Sequence, residues 1–106
     1  MLDRVTPGVL CEDLAATWTK VIARHGIEKD SRIGYPVGIG YPPTWGELTA
    51  GLRAGDRTVM EEGMTFHCIP AIWLDTFGLV ISESFAVTPA GAECFADFPR
   101  VLLAKG

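Results

Sequence analysis

Near the N-terminus the apolar positions recur at three- and four-residue steps. Leu10, Leu14, Trp18, Val21, Ile22 and His25 fall on one stripe, the spacing of an amphipathic helix. Thr6-Pro7-Gly8 forms a turn ahead of it, Glu12 and Asp13 place acids in its first turn, and Gly26 stops it. His25 then sits in the last turn, where a cation suits the helix dipole, and is a poor candidate for a ligand.

Further along, the period changes to two. Met64 to Ile69 reads as a strand with Thr65, His67 and Ile69 on one face and Phe66 and Cys68 on the other. Pro70 ends it or marks an edge, and Asp75-Thr76-Phe77-Gly78 reads as a hairpin connection. Leu79 to Thr88 is the strongest strand, with Leu79, Ile81, Glu83, Phe85 and Val87 on one face. Pro89-Ala90-Gly91 turns into a strand at Ala92 to Phe95, and Val101-Leu102-Leu103 is a last apolar piece. Between helix and strands, Ile33 to Glu47 carries four glycines, three prolines, two tyrosines and a tryptophan. Such a segment predicts a short strand entering a rigid, aromatic-lined loop. Gly51 to Gly63 reads as a polar, acid-rich connector. The expected class is α+β: an antiparallel sheet with one long amphipathic helix packed on it, in a single domain over residues 1–106.

Charge and cysteine usage narrow the function. Nine Lys and Arg are scattered against thirteen Asp and Glu, for a net charge of −4, which supplies no basic groove and argues against nucleic acid. No apolar run approaches the ~18 residues of a membrane span, and the N-terminus carries no secretion signal. Cys11, Cys68 and Cys94 form no CxxC pair and read as reduced, half-buried small hydrophobes. The expectation is a cytoplasmic protein with no membrane partner. GxSxG, P-loop, HExxH and GxGxxG motifs are all missing from the sequence.

The candidate chemistry begins with Glu83, which shares its strand face with four apolar residues. A regular strand would hold that carboxylate in the core, where burial raises its pKa, unless a bulge or an edge lets it reach solvent or an arginine. His67 is either a hydrogen-bonded core histidine or a base, and a neighbouring Glu83 would favour the base. Glu47 after Trp45-Gly46 suits a cationic or amidine-like group, and Arg32 suits a substrate carboxylate. Tyr35, Tyr41, Trp45 and Trp73 are either pocket walls or core.

Several segments in order resemble one family. They are Thr6-Pro7-Gly8-Val9 before the helix, Arg32-Ile33-Gly34-Tyr35 before the Gly/Pro loop, Glu62-Gly63-Met64-Thr65-Phe66, Gly78-Leu79-Val80-Ile81-Ser82-Glu83, and Val87 to Glu93. From Val5 to Leu103 the chain resembles the C-terminal half of the pita-bread catalytic domain of the creatinase, prolidase and aminopeptidase P (peptidase M24) family. Arg32 to Ile39, Pro42 to Glu47, Phe66 to Pro70 and Ile81 to Ser84 are most similar to its ectoine hydrolase branch. The resemblance implies C–N bond hydrolysis of a small cyclic amidine or peptide-like substrate. It also implies a dinuclear metal site of two Asp, one His and two Glu. Both Asp lie upstream of the matching region, and Tyr35, Ile69 and Ser82 stand at the other three positions. No metal or other cofactor is therefore expected. Glu83, His67 and Tyr35 become the catalytic candidates, with Glu47, Trp45, Arg32, Tyr41 and Trp73 as substrate-binding candidates. A non-catalytic binding module derived from the same fold is the competing reading. A chain covering only half of a pseudo-symmetric domain should leave core exposed, and a mean hydropathy of +0.24 agrees with that. It is expected to self-associate or to need the missing N-terminal half.

Overall fold

A computed structural model describes residues 1–41, 43 and 48–106. Glu47 and Trp45 lie outside the described residues. After a short 3-10 turn at Leu2–Arg4, the helix α1 runs over Cys11–Ala23. It buries Cys11, Leu14, Ala15 and Ile22, so the apolar stripe is rotated from the expected one; Val21 and His25 face solvent. Its N-cap residue, Leu10, has no side chain able to cap. The free N–H groups of the first turn are met instead by backbone carbonyls: Cys11 donates to Thr58 and Glu12 to Asp56.

The main sheet has the order β1-β2-β5-β6, all antiparallel, from β1 (Gly34–Pro36), β2 (Thr65–Cys68), β5 (Glu83–Thr88) and β6 (Gly91–Cys94). One face carries Phe66, Cys68, Phe85 and Val87, each at most 2% exposed, and these join Cys11, Leu14 and Ala15 of α1 in the core. Phe66 and Phe85 are cross-strand partners with stacked rings. Each buried ring contributes on the order of 2–3 kcal/mol by leaving water. The opposite face carries Tyr35, Thr65, His67, Ser84, Ala86 and Glu93, none of them buried.

Two expectations need correction. The connector over 51–63 is not merely polar. Leu52 and Met60 are fully buried; Leu52 exchanges backbone hydrogen bonds with Ile33 and Gly34, and Met60 with Gly8 and Val9. The carboxylate of Asp56 ties this segment together by accepting from the N–H groups of Gly51 (2.7 Å) and Thr58 (3.0 Å). The long strand from Leu79 to Thr88 is also divided. Its first part, β4 (Gly78–Val80), pairs with β3 (Ala71–Trp73) in a separate ribbon. The pairing line nevertheless runs on without a slip, from Cys68↔Glu83 to Ala71↔Val80. The ribbon is the outer end of one hairpin, interrupted beside Pro70, which has no N–H to give to the ladder. The four-residue tip, Leu74 to Phe77, lies one residue earlier than the connection the sequence predicts at Asp75 to Gly78.

Candidate functional site on the open sheet face

Three adjacent strands, β1, β2 and β5, place Tyr35, His67 and Ser84 in one row. Tyr35 is opposite His67, and His67 is opposite Ser84. Cross-strand partners project from the same side of a sheet, so the row stands on the face that α1 does not cover. The Tyr35 and His67 rings pack at 5.5 Å between centroids, tilted by 50°. The guanidinium of Arg32 lies over the other aromatic partner, 4.9 Å from the centre of the Tyr35 ring. On the far side, His67 Nδ1 is 2.8 Å from Ser84 Oγ. Arg32, Tyr35 and His67 are thus brought together. Ser84 completes the row, and the signal that would have found it is its register opposite His67.

Glu83 is elsewhere. It opposes Cys68, not His67, and so points to the core side of the sheet. The face it shares does leave the core at this residue: Leu79 and Ile81, further along, are 40% and 41% exposed. At that rim Arg100 reaches over to place Nη2 2.8 Å from Glu83 Oε2 and 3.4 Å from Cys94 Sγ. The Arg100 hydrogen bond holds the Glu83 carboxyl below its ordinary pKa. The expected upward shift from burial is therefore reversed, and the expected His67–Glu83 pair does not form. The pair borders a cleft of about 250 Å³ whose walls include Leu2, Trp18, Pro70 and Ile81.

Of the remaining candidates, Tyr41 is 84% exposed and Trp73 69% exposed. The Trp73 ring lies against Gly78, which leaves no room there for a Cβ. Trp73 is six residues beyond His67 along the same line of chain, roughly 20 Å at strand rise. Beside the row, Val37, Thr49, Ala50 and Thr65 line a cavity of about 300 Å³, and Thr65 Oγ1 donates to the Val37 carbonyl there. The thiols add no reactive group, since burial pushes Cys11 up to about 11 and Cys68 up to about 12.

This geometry coincides with a match over most of the chain. Residues 1–89 match metallopeptidase family M24. The chain belongs to that family. It is 48% identical over 104 residues to an uncharacterized hydrolase/peptidase of Sinorhizobium fredii. It is 44% identical over 105 residues to the ectoine hydrolase of Halomonas elongata. Each match takes 98% of this chain and 26% of the relative, so the M24 chain described above spans about a quarter of their length. Among solved structures, the dipeptidase PepE of Mycobacterium ulcerans superimposes with a TM-score of 0.85 at 27% identity, over 96% of this chain and 27% of that one. The prolidase of Pyrococcus horikoshii gives 0.84 at 23% identity, over 96% and 29%. The fold is thus that of half an M24 pita-bread domain.

The dinuclear metal pair of M24 enzymes does not suit this chain's share of the face. Of the three positions that should supply ligands, Ile69 has no donor atom, Tyr35 is packed between Arg32 and His67, and Ser82 is exposed in the break between β4 and β5. Among the described residues, no three His, Cys, Asp or Glu side chains gather as a metal site would require.

Proposed function

We propose that this chain is the C-terminal part of an M24-type hydrolase that opens a C–N bond in a small cyclic amidine or peptide-like substrate. The observation that carries the reading is the row of Arg32, Tyr35 and His67 on the uncovered sheet face of a chain so similar to an ectoine hydrolase. Arg32 is the group for a substrate carboxylate, with a guanidinium able to bind it in a two-pronged manner. Tyr35 offers a phenol for hydrogen bonding. His67 is the base for water, which attacks the carbon of the C–N bond while the proton passes to the leaving nitrogen. Tyr41, Trp73, Glu47 and Trp45 remain candidates for the substrate's outer contacts, and Glu83 for an electrostatic role from the rim. The rest of the site comes from another copy of this chain or from an N-terminal half. The working place is the cytoplasm, where the unpaired thiols of Cys11, Cys68 and Cys94 stay reduced. No helix among the described residues is long and apolar enough to cross a membrane.

The turning of Glu83 away from His67 favours the competing reading, a binding module on the same scaffold. A thermal-shift and turnover screen with ectoine, a prolyl dipeptide and creatine separates the two. Hydrolysis of one of them, abolished by Arg32→Ala or His67→Ala, is the expected result. No response to any of the three would retire the hydrolase in favour of the binding module.

A further inference from the structure

We propose that Ser84 is a positioning residue for His67: its Oγ accepts the Nδ1–H of the ring and keeps the Nε2 lone pair free on the open sheet face. The contact is fixed by the backbone, because His67 and Ser84 are direct partners in the β2–β5 ladder. Their side chains meet at 2.8 Å. The ring is held on its other side by Tyr35, so its orientation is determined from two strands at once. A neutral imidazole has one N–H and one lone pair, and the partner of one nitrogen decides which atom carries which.

The groups around the ring make a neutral orienter informative. Tyr35 faces it from β1 with Arg32 above, Ser84 faces it from β5, and Glu93 stands on the same side of β6, opposite Ala86 rather than Ser84. The carboxylate that usually orients a catalytic histidine is replaced here by a hydroxyl. A hydroxyl oxygen can accept from Nδ1–H in both the neutral and the charged ring. Nε2 can therefore take a proton from attacking water and return it to the leaving nitrogen while the Nδ1 bond stays in place. The use of this arrangement rests on the hydrolase reading, but the tautomer does not.

The test is long-range proton–nitrogen NMR of the uniformly 15N-labelled chain, with the rings neutral. His67 is expected to show a protonated Nδ1 and a bare Nε2, with solvent-facing His25 as the internal comparison. In Ser84→Ala the His67 nitrogen shifts should exchange toward the protonated-Nε2 form, and Ser84→Thr should restore the original pattern. A protonated Nε2 in the unaltered chain overturns the assignment, and so does a pattern that Ser84→Ala leaves unchanged. If Ser84→Ala does not fold, the unaltered chain and Ser84→Thr still decide it. The expected tautomer in a chain that hydrolyses and binds nothing would leave Ser84 in this role and remove the hydrolase.

Discussion

At the scale of single residues, two carboxylates among the described residues have displaced pKa values, each held by a different partner. Asp56 is kept below its ordinary 3.8, first by the Thr58 hydroxyl and then by the backbone N–H groups of Thr58 and Gly51. Its carbonyl meanwhile receives Glu12 at the start of α1, so one residue fastens the connector and seats the helix. Asp56→Ala should cost about 1–3 kcal/mol, the range for losing hydrogen bonds to a charged acceptor, read from urea unfolding at neutral pH. Because the folded pKa is depressed, the stabilisation is present above the unfolded value and is lost as the pH falls through the folded one. The gap between Asp56→Ala and the unaltered protein should thus close on acidification below about 3.8. A gap that persists there would mean that the loss is one of packing, not of charge. Glu83 obeys the same sign through Arg100. That pair lies at the surface, where an ion pair contributes little.

At the scale of elements, β1 is closely constrained by its neighbours. A Cβ on Gly34 would stand 2.7 Å from Leu52 Cδ1 and 2.8 Å from the backbone oxygen of His67. The leucine tip can move, but the carbonyl of a central strand cannot. Gly34→Ala should therefore destabilise by roughly 1–3 kcal/mol, as overpacking does, with a lowered urea midpoint. It should also push Tyr35 away from His67, visible as a change in the His67 ring resonances. A normal midpoint with unchanged resonances would show β1 free to shift. The elements were largely legible because each has its own period: the helix stripe, the alternation of β2 and β5, and the turns at Pro89 and Gly78. What escaped was set by pairing between distant segments. Leu52 and Met60 are buried because Ile33, Gly34, Gly8 and Val9 line up against them, and a local polar composition hides this. The strand break at Ile81–Ser82 is imposed by Pro70, which is eleven residues away in sequence but directly across the ladder. The site followed the same rule. The strand alternation supplied His67 and the resemblance brought in Tyr35 as a catalytic candidate, while the pairing of Ser84 with His67, and of Glu83 with Cys68 instead, follows from a register that no single segment encodes.

At the scale of the whole molecule, the surface is too large for a closed particle. The chain exposes 7464 Å², whereas a folded monomer of this mass should expose roughly 5,800 Å². Its radius of gyration, 14.2 Å, also exceeds the ~13 Å of a compact domain of this length. Part of the excess is the segment after β6, where Phe98, Val101 and Leu102 are 60% or more exposed. Much of the rest is the outer hairpin, whose Trp73, Phe77 and Val80 stand in solvent. A stable interface takes about 800 Å² from each partner, so the surplus is enough to form one. The hairpin tip carries only Asp75 as a charge against these aromatics, too little to keep two copies apart. A second copy of the chain is the occupant expected in solution. Size-exclusion chromatography with light scattering should give a mass of at least two chains. Replacing Trp73 and Phe77 together by glutamate should return it to one, since both side chains are exposed and neither belongs to the core. A strictly monomeric unaltered protein at micromolar concentration would contradict this. The exposed hairpin would then be the seat of the N-terminal half of the M24 domain.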